Sequence, residues 1–159
     1  MKTITNTLFA LTIVGATSLM SCSLFGGSAD REKGTRIAST EASLNKVFAD
    51  TEGNEGKRFT ITGYLSYSAS TNVYTNRPQT VYIYGKPGRE ERIGGIEVHW
   101  AENGHNSVFV PQDGGDDESK TIFYDHEGKP FSMNDKVDIS FTVGKKSVYP
   151  YEARFDRTK

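Results

Sequence analysis

The sequence predicts a mainly β protein, a small antiparallel barrel or sandwich preceded by one N-terminal helix. Two observations lead there. The chain is rich in strand and turn residues, with 8 Tyr, 9 Phe and 16 Gly in 159 residues, and it is poor in Leu and Ala. Its apolar residues recur mostly every second position in short runs. Turn clusters separate those runs, and no helical segment stands between successive ones, which disfavours a parallel α/β sheet.

The helix is expected over Thr40–Asp50. Ser39 or Thr40 can cap it, Glu41 suits its first turn, and Leu44, Val47 and Phe48 fall at i, i+3 and i+4. Gly53 and Gly56 are expected to end it. In Arg58–Leu65, Phe59, Ile61 and Leu65 share one face, while Thr60, Thr62 and Tyr64 share the other. Gly63 inside that strand predicts a bulge or a sharp bend. Val81–Tyr84 and Ile96–Trp100 follow, with Val81, Ile83, Ile96, Val98 and Trp100 inward. Ser107–Val110 and Thr121–Tyr124 are short candidates on either side of an acidic loop. Val137–Val143 alternates most cleanly, and Tyr151–Phe155 is the last strand. Gly85-Lys86-Pro87-Gly88, Glu102-Asn103-Gly104, Glu127-Gly128-Lys129-Pro130 and Asn134-Asp135 supply turn chemistry.

At the N-terminus Lys2 precedes an apolar segment, Leu8–Ala16, that falls short of the ~20 residues needed to span a hydrocarbon core. Small and polar residues then lead to Leu19-Met20-Ser21-Cys22. This stretch resembles the lipobox of bacterial lipoproteins. The resemblance implies cleavage before Cys22 and acylation of its thiol, palmitate included. It divides the chain into a signal peptide, residues 1–21, a lipidated tether, residues 22–36, and a domain, residues 37–159. The tether carries Gly26-Gly27-Ser28 and mixed charges, a flexible composition. Ser23, rather than aspartate, follows the cysteine. By the same resemblance this points to the outer membrane of the cell envelope.

Gly56-Lys57-Arg58-Phe59-Thr60-Ile61-Thr62-Gly63-Tyr64-Leu65 resembles the first strand of oligonucleotide/oligosaccharide-binding (OB) folds. Asn134-Asp135-Lys136-Val137-Asp138-Ile139-Ser140-Phe141-Thr142-Val143 resembles a later strand, with Asn134 and Phe141 where glycines are usual. The resemblance covers roughly residues 55–157 and implies an OB-like barrel. The loop from Ala101 to Met133 is longer than that pattern expects.

The charge balance, 19 Lys+Arg against 20 Asp+Glu for a net −1, lacks the basic surplus of a nucleic-acid binder. Lys57-Arg58 and Lys145-Lys146 read as solvated surface. One cysteine excludes an intramolecular disulfide. Tyr64, Tyr82, Tyr84 and His99 point away from the core faces of their strands. On adjacent strands they would make an aromatic surface able to stack bases or sugars, although tyrosine also commonly lines a half-exposed sheet. Asp113-Gly114-Gly115-Asp116-Asp117-Glu118 lacks EF-hand spacing and reads as a surface loop. His99, His105 and His126 lack a convergent ligand set at zinc spacing. The sequence has no G-x-S-x-G elbow, no H-E-x-x-H and no P-loop.

The expectation is therefore a non-catalytic, lipid-anchored binding module of the bacterial envelope. It is attached through Cys22, needs no metal or cofactor, and takes an envelope protein or small ligand. The alternative is a glycan- or nucleic-acid-binding protein that uses the tyrosine face; an enzyme whose site carries none of these motifs stands third.

Overall fold

The computed structural model describes residues 32–67, 78–101, 104–111, 118–144 and 152–158. The signal segment, Cys22 and the tether up to Arg31 lie outside these residues. So do residues 113–117 of the acidic loop, the Lys145-Lys146 pair and Tyr151.

The molecule is built on one curled sheet, a half-barrel of mostly antiparallel strands. In chain order they are β1 (Thr35–Arg36), β2 (Arg58–Tyr67), β3 (Gln79–Lys86), β4 (Glu90–Trp100), β5 (Ser107–Phe109), β6 (Ile122–Tyr124), β7 (Pro130–Phe131), β8 (Lys136–Thr142) and β9 (Arg154–Arg157). The lateral order is β7-β6-β5-β4-β3-β2-β8-β9, with β1 on β2. Strand β2 is the centre. Its first part pairs with β8 from Arg58↔Thr142 to Tyr64↔Lys136, and its last part pairs with β3 from Tyr64↔Tyr84 to Tyr67↔Val81. Strand β1 runs parallel along the β2 edge that β3 leaves free, with Thr35 opposite Phe59 and Arg36 opposite Thr60.

Gly63 marks the change of partner. A Cβ there would sit 2.8 Å from the Tyr84 carbonyl oxygen, so β3 approaches closely because no side chain intervenes. The ladder with β8 runs unbroken through Gly63. The irregularity lies one strand over, where Ile83 pairs with Gly94 and Tyr84 with Arg92, so that Ile93 is the extra residue. The bulge that sequence placed at Gly63 of β2 thus lies instead in the β3–β4 ladder, with its extra residue on β4.

Inward residues alternate as the pattern requires. Ile61, Leu65, Tyr67, Val81, Ile83, Val98, Val108, Phe123, Val137, Ile139, Phe141 and Phe155 form the core. Trp100, expected inward, is only half-buried and packs on Phe109 at 5.6 Å. Two short helices stand where sequence reading had one. Helix α1 (Glu41–Ala49) is capped by the Thr40 side chain, which accepts from the Ser43 N–H, and α2 (Thr51–Asn54) is capped by Asp50. Leu44 packs against Gly94 of β4 in space that a Cβ would occupy, and Phe48 stacks on Phe141 of β8 at 5.9 Å. The helix thus bridges two strands distant in the lateral order.

The two ends of the sheet meet at Phe155. Its N–H donates to the Asn106 side-chain oxygen at 2.8 Å, and its carbonyl accepts from the His126 N–H at 2.9 Å. Asn106 sits just before β5 with φ 49° and is buried. His126 follows β6. Asp125, also buried, accepts from the N–H groups of Glu127 and Lys129 and from Arg157 Nε, which fixes the β6–β7 turn against β9. Phe155 packs edge-on to Phe131 beneath this seam, and Phe131 stacks on Phe123.

Asn106→Gly keeps a residue suited to the left-handed φ and removes the side chain that accepts from the Phe155 N–H. It should lower the unfolding free energy by about 1–3 kcal/mol, the cost of a buried unpaired N–H, read as a shift in urea midpoint with unchanged slope.

Candidate functional site

Strands β2, β3 and β4 are neighbours, so the tyrosines do share the outer face of the sheet. Register decides which of them meet. Tyr64 lies opposite Tyr84 across β2–β3, and Tyr82 lies two residues along from Tyr84. Tyr64 and Tyr84 border a hollow of about 130 Å³ with Arg89, Met133 and Asn134. That is smaller than the ~300 Å³ of an ordinary ligand pocket. Tyr82 is already covered. The Arg92 guanidinium sits 4.5 Å from its ring centroid, and Gly95 opposite leaves the ring room to lie on the backbone. His99 lies four residues past Gly95, about 13 Å along β4, and does not join the tyrosines. It faces Ser107 of β5, and burial pushes its imidazole below the usual histidine range, so it is neutral at pH 7. The four residues therefore make one facing pair, one tyrosine held under an arginine and one separate histidine.

The other histidines serve the seam. A ring nitrogen of His105 contacts the His126 carbonyl at 2.9 Å, and His126 Nδ1 lies 3.1 Å from Asp156. No three His, Cys, Asp or Glu side chains among the described residues are placed to hold a metal ion.

Among the described residues, the densest cluster of ion pairs lies on the same outer face, at β1, β2, β8 and β9. Thr62, Asp138 and Asp156 stand in one row across β2, β8 and β9. Asp138 is 6% exposed. It accepts two hydrogen bonds from Arg36, at 3.1 and 2.7 Å, one from Thr62 Oγ1 at 2.7 Å and one from Lys33 at 3.3 Å. Burial pushes its pKa up, but these donors and the Arg36 charge more than reverse that, and it falls to about 2. The same pair raises the pKa of Arg36. Asp156 is gripped by Arg154 through Nε and one terminal nitrogen, with Lys33 at 3.9 Å and His126 beside it. Asp138, so fully supplied with donors, stays ionised and is unsuited to shuttling protons at neutral pH; its pair with Arg36 holds β1 to β8 across β2.

Sequence reading missed this lattice. Asp138 looked like the polar position of an alternating strand, and Lys33 and Arg36 were assigned to the tether. The available signal was the pairing of the two OB-like phrases, which sets Thr62 against Asp138.

The folded-state pKa of Asp138 is depressed, so its contribution to stability is present above about pH 4 and is lost as pH falls toward 2. Asp138→Asn should therefore cost about 1–2 kcal/mol at pH 7, and the gap from the unaltered protein should close between pH 4 and pH 2, followed by urea midpoints across that range.

No family model matches the chain, and no curated protein or solved structure shows significant similarity to it.

Proposed function

We propose that the chain is a lipid-anchored lipoprotein of the bacterial envelope, placed at the outer membrane, whose OB-like body binds a partner and carries out no chemistry. The observation that carries the reading is Cys22, the only cysteine, set directly behind a short apolar segment and ahead of a glycine-rich spacer. Two acyl chains on that thiol would hold the protein at a bilayer, where a single chain binds only marginally.

The OB-like assignment is supported by connectivity. The two phrases that resemble OB strands, Gly56–Leu65 and Asn134–Val143, contain β2 and β8, which are direct ladder partners. Strands β2, β3 and β4 form a meander, and the later strands β8 and β9 return to the other edge of β2. Strands β5 to β7 fill the long connection between β4 and β8. Asp138, locked in ion pairs on the outer face, is unsuited to proton transfer.

The exported protein should incorporate labelled palmitate, and Cys22→Ser should incorporate none. Equal labelling of the two, or no labelling of either, would refute the anchor. Capture of the native protein from membranes, with mass spectrometry of what accompanies it, identifies the partner.

A second reading, recognition of glycan or single-stranded nucleic acid by stacking, rests on the facing Tyr64 and Tyr84. It expects the double variant Tyr64→Ala/Tyr84→Ala to lose retention on immobilised glycan or single-stranded DNA by about tenfold or more while its thermal midpoint holds. Equal retention by both proteins removes this reading.

A further inference from the structure

The ion-pair lattice opens onto a depression of about 600 Å³ between β1, β2 and the end of β9. Lys33, Arg36, Lys136 and Arg157 line it, and among the described residues Asp138 is the one carboxylate in its wall. The balance of charge is local, because the whole chain carries a net −1. Asp138 answers Arg36 and Lys33 from the floor, and Arg157 turns its Nε to Asp125 behind it. Lys136 is exposed and forms no ion pair among the described residues. Half or nearly half of each of the Lys33, Arg36 and Arg157 side chains is open to solvent. The Thr62 and Thr158 hydroxyls add neutral hydrogen-bonding groups to the wall. Exposed cations around one neutralised carboxylate leave a surplus of positive charge facing outward.

We infer that this depression is a subsite for the phosphate of anionic phospholipid headgroups, and that it forms a second, electrostatic contact between the body and the bilayer. The occupant follows from where the chain enters the fold. Lys33 and Arg36 lie eleven and fourteen residues beyond Cys22. Eleven residues span at most about 40 Å when fully extended, and far less as a flexible coil. The same chain end that is tied to lipid by acylation thus delivers the cationic face toward the headgroups. Acyl chain and basic patch are known to act together, because each Lys or Arg near an anionic surface adds to a weak lipid anchor. This inference rests on the anchored reading of Cys22.

The test uses the full chain produced without export, so that its thiol is unmodified, and measures co-sedimentation with vesicles. Vesicles of phosphatidylcholine alone are compared with vesicles containing about a third phosphatidylglycerol. The apolar segment Leu8–Ala16 contributes to both, so the readout is the ratio of the two affinities. The ratio should favour the anionic vesicles and should shrink as salt is raised. It should fall roughly tenfold in Lys33→Gln/Lys136→Gln, whose replaced side chains are exposed, and hold in Lys46→Gln/Lys57→Gln, whose lysines are outside the depression. No preference for anionic vesicles, or an equal fall in both double variants, overturns the inference. So does saturable binding of inorganic phosphate or of an acidic oligosaccharide without any preference for anionic vesicles, which assigns the depression to a soluble ligand. Mass spectrometry of Cys22 in natively exported protein tests the anchor separately, since the vesicle measurement does not depend on acylation.

Discussion

The fold depends on how the backbone of Phe155 is satisfied. A sheet that curls must bring its last strand to its first elements, and β9 has no further strand to pair with in the lateral order. Its amide and carbonyl would be costly to leave unpaired beneath a packed core. Asn106 and His126 supply the missing acceptor and donor from one end of the β5–β6 pair, one just before β5 and the other just after β6. The backbone at Asn106 is left-handed, a conformation that asparagine tolerates better than most residues. Once the seam is made, Phe155 closes over Phe131 and Phe123, and the polar bonds and the aromatic cluster reinforce each other.

The change of partner along β2 sets the rest. Because β3 pairs only from Tyr64 onward, the earlier edge of β2 is open, and β1 occupies it. That places Arg36 beside Thr62 and within reach of Asp138 on the far side of β2. Nearly buried carboxylates on an outer sheet face would be expensive alone. The arginine forks and the threonine hydroxyl make the charge tolerable, and the Arg36–Asp138 pair ties β1 to β8 across β2. Removing one partner leaves a buried charge uncompensated, so these pairs matter more for what their loss would cost than for their net gain.

Much of this architecture was legible because it rests on period. Val137, Ile139, Phe141 and Val143 occupy the buried positions that alternation assigns to them, and Leu44 and Val47 those of helical spacing, with Phe48 partly buried beside them; Asp138, Ser140 and Thr142, which alternation assigns to the outer face, are buried as well. Gly63 was readable as a bulge or a sharp bend, whereas what it provides is the close approach of β3. What sequence could not give was register. Tyr82 and Tyr84 look equivalent in the chain, yet one lies under Arg92 and the other faces Tyr64. His99 has the right parity for the tyrosine face and lies too far along β4 to join it. Asp138 gains its partners from residues 76 and 102 positions away, a separation that no local pattern reports. Strand β1 has two residues and no periodicity at all, and Pro130–Phe131 was hidden inside a turn signal.

The start of the domain shows the same logic from the other direction. Composition placed the boundary at residue 37, since Gly34 to Arg36 look like the end of a polar tether. Hydrogen bonding places it earlier. Thr60 is buried, and its hydroxyl lies 2.8 Å from the buried Ser140 hydroxyl, donates to the Gly34 carbonyl and accepts from the Gly34 N–H. Gly34 can come this close only because it lacks a Cβ, which would collide with the backbone of Arg58 and Phe59. Without residues 33–36 the Thr60 hydroxyl would lose both backbone partners, and Asp138 would lose the Arg36 fork and Lys33 together. The stretch Lys33–Arg36 that looks like linker is therefore part of the sheet.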